Sequence, residues 1–190
     1  MRVIAGLAKG RRLASPKSND IRPVLDQVKE AVFNILFDCE GLQVLDLFAG
    51  TGAMGIEALS RGAAHAVFVD NSREAIKLIR KNIELCGFES QAEIIPMTCG
   101  KAINILSKRQ KSFDLIFVDP PYLRRFIAKT LAKLALGPLC HDQTRIVIEH
   151  HPFEPIPQME RLSLTDQRKY GQTLVSFLCI NSKFQKSSSK

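Results

Sequence analysis

The stretch Leu45-Asp46-Leu47-Phe48-Ala49-Gly50-Thr51-Gly52-Ala53-Met54-Gly55 places an apolar segment directly before a glycine-rich loop. The pattern predicts a strand over 43–48 and a helix over 53–60. Gly50, Gly52 and Gly55 have the G-x-G-x-x-G spacing of a loop that holds a ligand at a helix amino terminus, and Asp70 stands where a ribose-binding acid is expected. A tight turn from strand to helix is the alternative for the glycines alone.

Short apolar runs and amphipathic stretches alternate through most of the chain. Strands are predicted at 43–48, 66–69, 92–95, 113–118 and 145–149, and helices at 24–37, 53–60, 72–85, 101–108 and 126–136. Segments 161–164 and 173–180 have no helix between them and predict an antiparallel pair at the sheet edge, joined by a turn at Tyr170-Gly171. This order is typical of an α/β fold with a mostly parallel sheet covered on both faces.

The acid before the glycine loop bears on the choice of ligand. Ligands of open α/β sheets bind beyond the carboxyl ends of the strands. At that place Asp46 would oppose a pyrophosphate, but it can accept hydrogen bonds from the ammonium group of a methionine moiety. Asp46 therefore favours S-adenosyl-L-methionine over a dinucleotide. The alternative is that Asp46 only caps the loop by accepting backbone N–H groups.

A second motif, Asp119-Pro120-Pro121-Tyr122, follows the predicted strand 113–118. A conjugated amino group is a poor nucleophile, so an enzyme that uses one must hold both of its N–H bonds. Asp119 and the carbonyl of Pro120 offer two acceptors, and the prolines restrict the backbone that carries them. The Tyr122 ring has the shape to stack on a flat base. An ordinary turn is the alternative, because Asp and Pro are common in turns.

Positive charge is concentrated near the amino terminus. The 190-residue chain has a net charge of +8, and only Asp20 opposes the basic residues between Arg2 and Arg22. The basic residues of this segment are Arg2, Lys9, Arg11, Arg12, Lys17 and Arg22. With Gly6, Gly10 and Pro16 as turn residues, the segment indicates a basic arm or hairpin for a polyanionic partner. A solvated charged face is the alternative.

The composition also excludes several classes of protein. No run of eighteen apolar residues exists, and the amino terminus has no secretory pattern, so we expect a cytoplasmic protein without a membrane span. The five cysteines are scattered and lack C-x-x-C spacing, which argues against a disulfide framework and a zinc site. No metal is therefore expected.

Taken together, these motifs resemble the class I, Rossmann-like S-adenosylmethionine methyltransferases, and more narrowly the RsmD family of 16S rRNA guanine-N2 methyltransferases. The resemblance covers most of the chain. Its segments are Arg2-Val3-Ile4-Ala5-Gly6, Lys9-Gly10-Arg11-Arg12-Leu13, Arg22-Pro23 with Asp26, residues 28–34, residues 45–52, residues 117–122 and Lys169-Tyr170-Gly171-Gln172-Thr173. The first and last are more family-specific than the glycine loop, which many methyltransferases share.

The resemblance implies a fold, a cofactor and a partner. The fold is a seven-stranded, mostly parallel sheet with an antiparallel edge strand and a small basic amino-terminal hairpin. We expect a basic arm at 1–22, a methyltransferase domain at 23–181 and a flexible tail at 182–190. The cofactor is S-adenosyl-L-methionine, and the partner is 16S rRNA in the small ribosomal subunit. We expect the protein to be a monomer.

The resemblance also assigns roles to single residues. Asp46, Ala49, Gly50, Thr51 and Gly52 would line the methionine side of the cofactor, and Asp70 and Asn71 would hold its ribose. The family often has an acid or amide facing the adenine amino group, but this chain has Pro96-Met97-Thr98-Cys99 there. Either the Thr98 hydroxyl or the backbone would then face the adenine. Asp119 and Pro120 would hold the guanine amino group, and Tyr122 would stack on the base. Arg2, Lys9, Arg11, Arg12, Arg22 and Asp26 would contact RNA.

Four other functions remain open at this point. A DNA methyltransferase acting on adenine N6 or cytosine N4 is the nearest, because the same tetrapeptide suits any exocyclic amine. A protein glutamine methyltransferase typically has Asn where Asp119 stands. A nucleic-acid-binding module without catalysis is disfavoured by the intact motifs. Asp46 and the proline turn disfavour a NAD-dependent dehydrogenase.

Overall fold

A computed structural model of the chain describes residues 1–16, 26–36 and 38–181. The helices are α1 (Asp26–Leu36), α2 (Ala53–Ser60), α3 (Arg73–Cys86), α4 (Cys99–Lys108) and α5 (Phe126–Leu136), with a short 3-10 turn at Glu89–Gln91. The strands are β1 (Gln43–Leu47), β2 (His65–Asp70), β3 (Ala92–Pro96), β4 (Phe113–Val118), β5 (Cys140–His150), β6 (Leu162–Tyr170) and β7 (Thr173–Ile180).

The seven strands form one sheet in the order β3-β2-β1-β4-β5-β7-β6. Strands β1 to β5 pair in parallel, whereas β7 is antiparallel to both β5 and β6. This confirms the expected α/β sheet and its antiparallel end. The strand order turns back between β1 and β4, and in such sheets the ligand crevice lies at that point, beyond the carboxyl ends of the two strands.

The core has two halves, one on each face of the sheet. Alternate side chains of a strand point to opposite faces. On β4, Leu115 and Phe117 pack with α1, α2 and α3, whereas Ile116 and Val118 pack with α4 and α5. Coverage of both faces explains why the parallel strands are apolar almost without interruption.

Predicted elements 53–60, 113–118, 126–136 and 173–180 coincide with α2, β4, α5 and β7. Strand β1 ends one residue early because Phe48 has φ 62°, which is incompatible with a strand. Helix α4 begins at Cys99, ahead of the predicted start. Strand β5 begins at Cys140, and β6 continues to Tyr170, so both are longer than their apolar runs.

The amino-terminal segment is a short hairpin that packs against the domain. Arg2 and Arg12 form an antiparallel bridge, and the Val3 N–H donates to the Arg11 carbonyl at 3.0 Å. The buried side chains of this hairpin are Val3, Ala8 and Leu13, and they belong to the same core half as α2. Of the two forms expected, arm or hairpin, residues 1–16 therefore adopt the hairpin. Arg22 and the tail at 182–190 lie outside the described residues.

Candidate cofactor and substrate site

A hydrogen bond to the Asp46 side chain connects the end of β1 to the start of α2, across the glycine loop. This side chain is 2% exposed, and its Oδ2 accepts the N–H of Gly55 at 3.0 Å. Gly55 lies in the first turn of α2, where backbone N–H groups lack partners within the helix. A Cβ at Gly55 would lie 2.4 Å from the Phe68 ring, so only glycine allows α2 to approach β2 this closely. Asp46 therefore makes a capping bond, and it uses one of its two carboxylate oxygens for it.

Burial makes ionisation of Asp46 costly in the free protein. Desolvation raises the pKa of Asp46 to about 7; the Gly55 N–H opposes this shift, and the charge of Asp70 adds to it. A cation placed against the carboxylate would remove much of that cost. A buried acid of this kind suits a ligand with an ammonium group.

Asp70, at the end of β2, holds the same loop from the other side. Its Oδ2 accepts the Gly50 N–H at 2.9 Å, and its Oδ1 accepts the Ser72 N–H at 2.8 Å, just before α3. A carboxylate has about four acceptor sites, so Asp70 retains capacity for a ribose hydroxyl.

A cavity of about 540 Å³ opens beside Asp70, beyond the ends of β2 and β3. The predicted residues Asn71 and Thr98 line it, together with Phe48, whose ring lies 5.7 Å from that of Phe126. Asp46, Ala49, Gly50, Thr51 and Gly52 are not among its lining residues. Asp46 lies in β1, and the other four belong to the loop that follows this strand. The cavity is mostly apolar in character and has an acid at one end, which fits an adenosine group with a methionine end directed toward the glycine loop.

The Asp119-Pro120-Pro121 turn follows β4 and lies between two spaces. Pro121 lines the 540 Å³ cavity. Asp119 lines a narrow space of about 20 Å³ on the other side, together with Glu149 of β5 and Met54 of α2. The Asp119 N–H also faces the Leu47 carbonyl of β1 at 3.4 Å. The turn thus lies between the 540 Å³ cavity and the side of the sheet covered by α1.

Tyr122 is fixed by its hydroxyl group. This group donates to Glu149 Oε1 at 2.9 Å and lies 2.8 Å from the Thr173 hydroxyl. Thr173 ends the segment 169–173 that the family resemblance singles out, so that segment has a contact with the Asp-Pro-Pro-Tyr motif. The bonds hold the Tyr122 ring in one orientation next to Asp119.

The hairpin is docked on α2 through Glu57. Its carboxylate accepts the N–H groups of Ile4 at 2.8 Å and Ala5 at 3.0 Å, and it pairs with Arg61 and with the fully buried Lys29 at 3.4 Å. Burial lowers the pKa of Lys29, and the charge of Glu57 opposes that shift. Lys29 also donates to the Arg2 carbonyl. Two buried charges thus anchor the hairpin to α1 and α2.

The predicted RNA-binding residues of this hairpin are at its surface. Arg2, Lys9, Arg11 and Arg12 are exposed. Asp26 instead contacts the hairpin, because its Oδ1 accepts the Arg2 N–H at 3.3 Å. Within residues 1–16, 26–36 and 38–181, no cluster of His, Cys, Asp or Glu is suited to a metal ion, and no helix is long and apolar enough to span a membrane.

The sequence patterns did not predict several residues of the site. Phe48 and Phe126 form a wall of the cavity, and Arg124, Lys129 and Lys133 stand around it. The run Tyr-Leu-Arg-Arg at 122–125, directly after the proline motif, was a signal for basic residues there. No comparable signal pointed to Lys29, whose partner Glu57 lies on another helix.

The chain has close counterparts among known proteins. A family model described as "Conserved hypothetical protein 95" matches residues 1–179. The chain is 36% identical over 180 residues to "Putative rRNA methyltransferase YlbH" of Bacillus subtilis, covering 93% of this chain and 97% of that protein. It is 32% identical over 177 residues to "Ribosomal RNA small subunit methyltransferase D" of Escherichia coli strain K12, covering 90% and 86%.

A solved structure agrees with these sequence matches. "Putative methyltransferase yhhF from Escherichia coli" has a TM-score of 0.82 at 30% identity, covering 96% of this chain and 98% of that chain. With residues 1–179 matched and relatives above 30% identity over nearly the whole length, the chain belongs to the family described as Conserved hypothetical protein 95, the RsmD family that its motifs resemble.

Proposed function

We propose that this protein transfers a methyl group from S-adenosyl-L-methionine to the exocyclic N2 of one guanine in the 16S rRNA of the small ribosomal subunit. The observation that carries the proposal is the position of the Asp119-Pro120-Pro121 turn. It borders the 540 Å³ cavity through Pro121 and the α1 side of the crevice through Asp119. An amino group held by Asp119 would therefore lie next to a methyl donor placed in the cavity.

The residues of the cavity and loop fit this cofactor. Asp46 would receive the ammonium group, Asp70 and Asn71 would hold the ribose, and Phe48 and Thr98 would border the adenine. When bound, the cofactor supplies an electrophilic methyl group on a sulfonium. Phe48, Met97 and Phe126 would exclude water from one side of it, because all three line the cavity.

Asp119 and the Pro120 carbonyl would accept hydrogen bonds from the two N–H groups of the guanine amino group. That orients the nitrogen lone pair for an in-line attack and stabilises the positive charge that develops on nitrogen. Positioning of this kind is worth about 7–11 kcal/mol, more than one general base supplies, so no strong base is needed. The ring of Tyr122 would hold the face of a guanine that has left its stack.

The names of the relatives favour RNA over DNA as the substrate class. The test is incorporation of labelled methyl groups into small ribosomal subunits lacking this modification, naked 16S rRNA and DNA. We expect incorporation into subunits or their rRNA and none into DNA. Asp119→Ala should abolish incorporation and retain cofactor binding. The matched control is Asp114→Asn, at the other end of the same strand. Incorporation into DNA alone, or a fully active Asp119→Ala variant, would refute the proposal.

A further inference from the structure

A chain of aromatic rings leads from Tyr122 to the protein surface. The Tyr122 ring lies 5.7 Å from the His151 ring, and the His151 ring lies 5.0 Å from that of Phe153. His151 and Phe153 belong to the loop that follows β5, next to the strand that ends in the Asp-Pro-Pro-Tyr motif. We call His151 and Phe153 the outer rings.

Among the phenylalanines in the part of the chain that the structure describes, Phe153 is the most exposed. Its side chain is 83% exposed, whereas Phe33, Phe68, Phe113 and Phe117 are fully buried. An apolar ring that stays in water contributes little hydrophobic stabilisation to the folded domain. Contiguous exposed apolar groups mark binding sites. Leu123, next to Tyr122, is also exposed, at 58%.

The loop that carries the outer rings is fixed to the catalytic motif. The Phe153 N–H donates to His151 Nδ1 at 3.2 Å, which sets the orientation of the His151 ring. Glu154 accepts the Leu123 N–H at 2.8 Å with Oε2, and its own N–H donates to the His151 carbonyl at 2.9 Å. These bonds keep the outer rings at a constant position relative to Tyr122, so a ligand that touches both meets a prearranged surface.

The chemistry of this surface matches an unpaired nucleotide. Bases stack on aromatic side chains, and sequence-specific RNA recognition targets unpaired bases that have been splayed out. Exposed Arg124 and Arg125, on the segment that follows Leu123, supply cations for the adjoining phosphates. A guanine held on Tyr122 brings its neighbours in the strand toward the outer rings.

We propose that Phe153 stacks on an unpaired base next to the target guanine in the rRNA, with the His151 ring packed against Phe153 at 56° on the side toward Tyr122. This inference rests on the proposed function, because it takes Tyr122 as the position of the target base. Stacking requires only a flat π-face, so Phe153 would select for an unpaired neighbour rather than for a particular base. The protein would thus read two successive unpaired nucleotides, with chemistry at one of them.

The chain contains no tryptophan, which allows a direct test. Phe153→Trp introduces a single fluorophore at the outer rings. Leu136→Trp is the matched control, since Leu136 is 87% exposed at the carboxyl end of α5, near the end of the sheet where β5 begins. The probe is a short RNA loop that the wild-type protein binds, together with the same loop in which the nucleotides flanking the guanine are abasic.

We expect the intact loop to cause saturable quenching of the indole emission in the Phe153→Trp variant. The abasic loop should quench that variant little, and neither loop should quench the Leu136→Trp variant. Phe153→Ala should weaken RNA binding about 5- to 150-fold, the range of one lost stacking contact. This loss should appear in KM with kcat retained, because Phe153 does not touch the reacting amino group. Phe153→Tyr should restore binding.

The outcomes separate the two proposals. Wild-type protein that methylates rRNA guanine N2, with no quenching in the Phe153→Trp variant and an unchanged KM for Phe153→Ala, would overturn the stacking proposal alone. Equal quenching in the Phe153→Trp and Leu136→Trp variants would overturn it too. Wild-type protein that neither binds nor methylates rRNA would overturn the proposed function and the stacking proposal with it.

Discussion

Asp46 and Gly55 join the end of β1 to the first turn of α2, through a hydrogen bond of 3.0 Å between Oδ2 and the backbone N–H. The bond links the two motif elements that define the glycine loop. Because only one carboxylate oxygen makes it, the capping role and the proposed ammonium-binding role of Asp46 are compatible.

Replacing Asp46 with Asn should weaken cofactor binding without weakening the fold. The amide oxygen can still accept the Gly55 N–H, but the charge-assisted bond to an ammonium is lost. Such bonds are worth about 1.5–3 kcal/mol, which corresponds to a rise in Kd of about 10- to 150-fold. The variant should melt at the same temperature as the wild type, or higher, at pH 8. Isothermal titration and thermal unfolding measure the two effects, and a variant that binds normally would exclude the ammonium-binding role.

The affinity for S-adenosyl-L-methionine should depend on pH around neutrality. Burial raises the pKa of Asp46 to about 7, so below that pH the acid is neutral and must ionise before it pairs with the ammonium. We expect Kd to rise up to about tenfold per pH unit below that pKa, and to rise again on the alkaline side, where an α-amino group with a pKa of about 7.7–8.0 loses its proton. In Asp46→Asn the acid limb should vanish and the alkaline limb should remain.

The same pKa predicts an opposite trend for the stability of the free protein. A carboxyl group whose pKa is raised on folding favours the folded state while it is protonated. This contribution is complete below the unfolded value of about 3.9 and is lost as the pH rises through about 7. The Asp46→Asn variant should lack it, which a comparison of unfolding free energies at pH 6 and pH 8 would show. An identical pH dependence in both proteins would contradict the burial effect.

Gly6 and Gly10 offer a matched test of hairpin docking. Both have positive φ, 79° and 83°, so alanine at either site costs about 1–2 kcal/mol in backbone strain. Only at Gly6 would a Cβ collide with the domain, 1.6 Å from the Ser60 carbonyl oxygen, whereas at Gly10 it meets nothing. Gly6→Ala should therefore lose methylation of rRNA and speed amide exchange at Ile4 and Leu7, and Gly10→Ala should not. Equal behaviour would show that the docked position is unimportant.

Breaking the buried pair of Lys29 and Glu57 should destabilise the fold more than breaking a surface ion pair. Lys29→Met leaves the Glu57 charge buried against Arg61 alone, and breaking a buried pair in this way typically costs about 3–5 kcal/mol. Adding Glu57→Gln should recover part of that loss, because the uncompensated charge is removed. Urea unfolding of the two single variants and the double variant measures the coupling, and strict additivity would contradict it.

Much of the fold was predictable because local patterns and tertiary structure agree. The run from Leu45 to Gly55 predicted both strand and helix correctly, and alternate burial on β4 follows from its apolar sequence. Strand β6 was less predictable. Its polar residues 166–169 pair with β7 at the sheet edge, and none of their side chains is buried. Its length depends on hydrogen bonds to β7, which hydrophobicity does not report.

Some residues of the candidate site could be predicted from the sequence, and others could not. Asp46 and Asp70 lie in the last residues of β1 and β2, and Asp119 directly follows β4. The carboxyl ends of these parallel strands lie at one edge of the sheet, so the proximity of the three acids could be inferred from the order of elements. The burial of Lys29 could not, because lysine side chains are rarely buried and its partner Glu57 is distant in the sequence. The contacts of Tyr122 with Glu149 and Thr173 likewise depend on β5 lying next to β4 and β7 lying next to β5, an arrangement set by the whole sheet.

The most direct test of the proposed chemistry is the identity of the modified nucleoside. Small ribosomal subunits lacking the modification would be incubated with the protein and S-adenosyl-L-methionine, and their 16S rRNA digested for nucleoside mass spectrometry and site mapping. We predict N2-methylguanosine at one position, absent when Asp119→Ala replaces the wild type and present with Asp114→Asn. A methyl group on another atom or base, or one that the Asp119→Ala variant still transfers, would contradict the assignment of Asp119 as the residue that holds the guanine amino group.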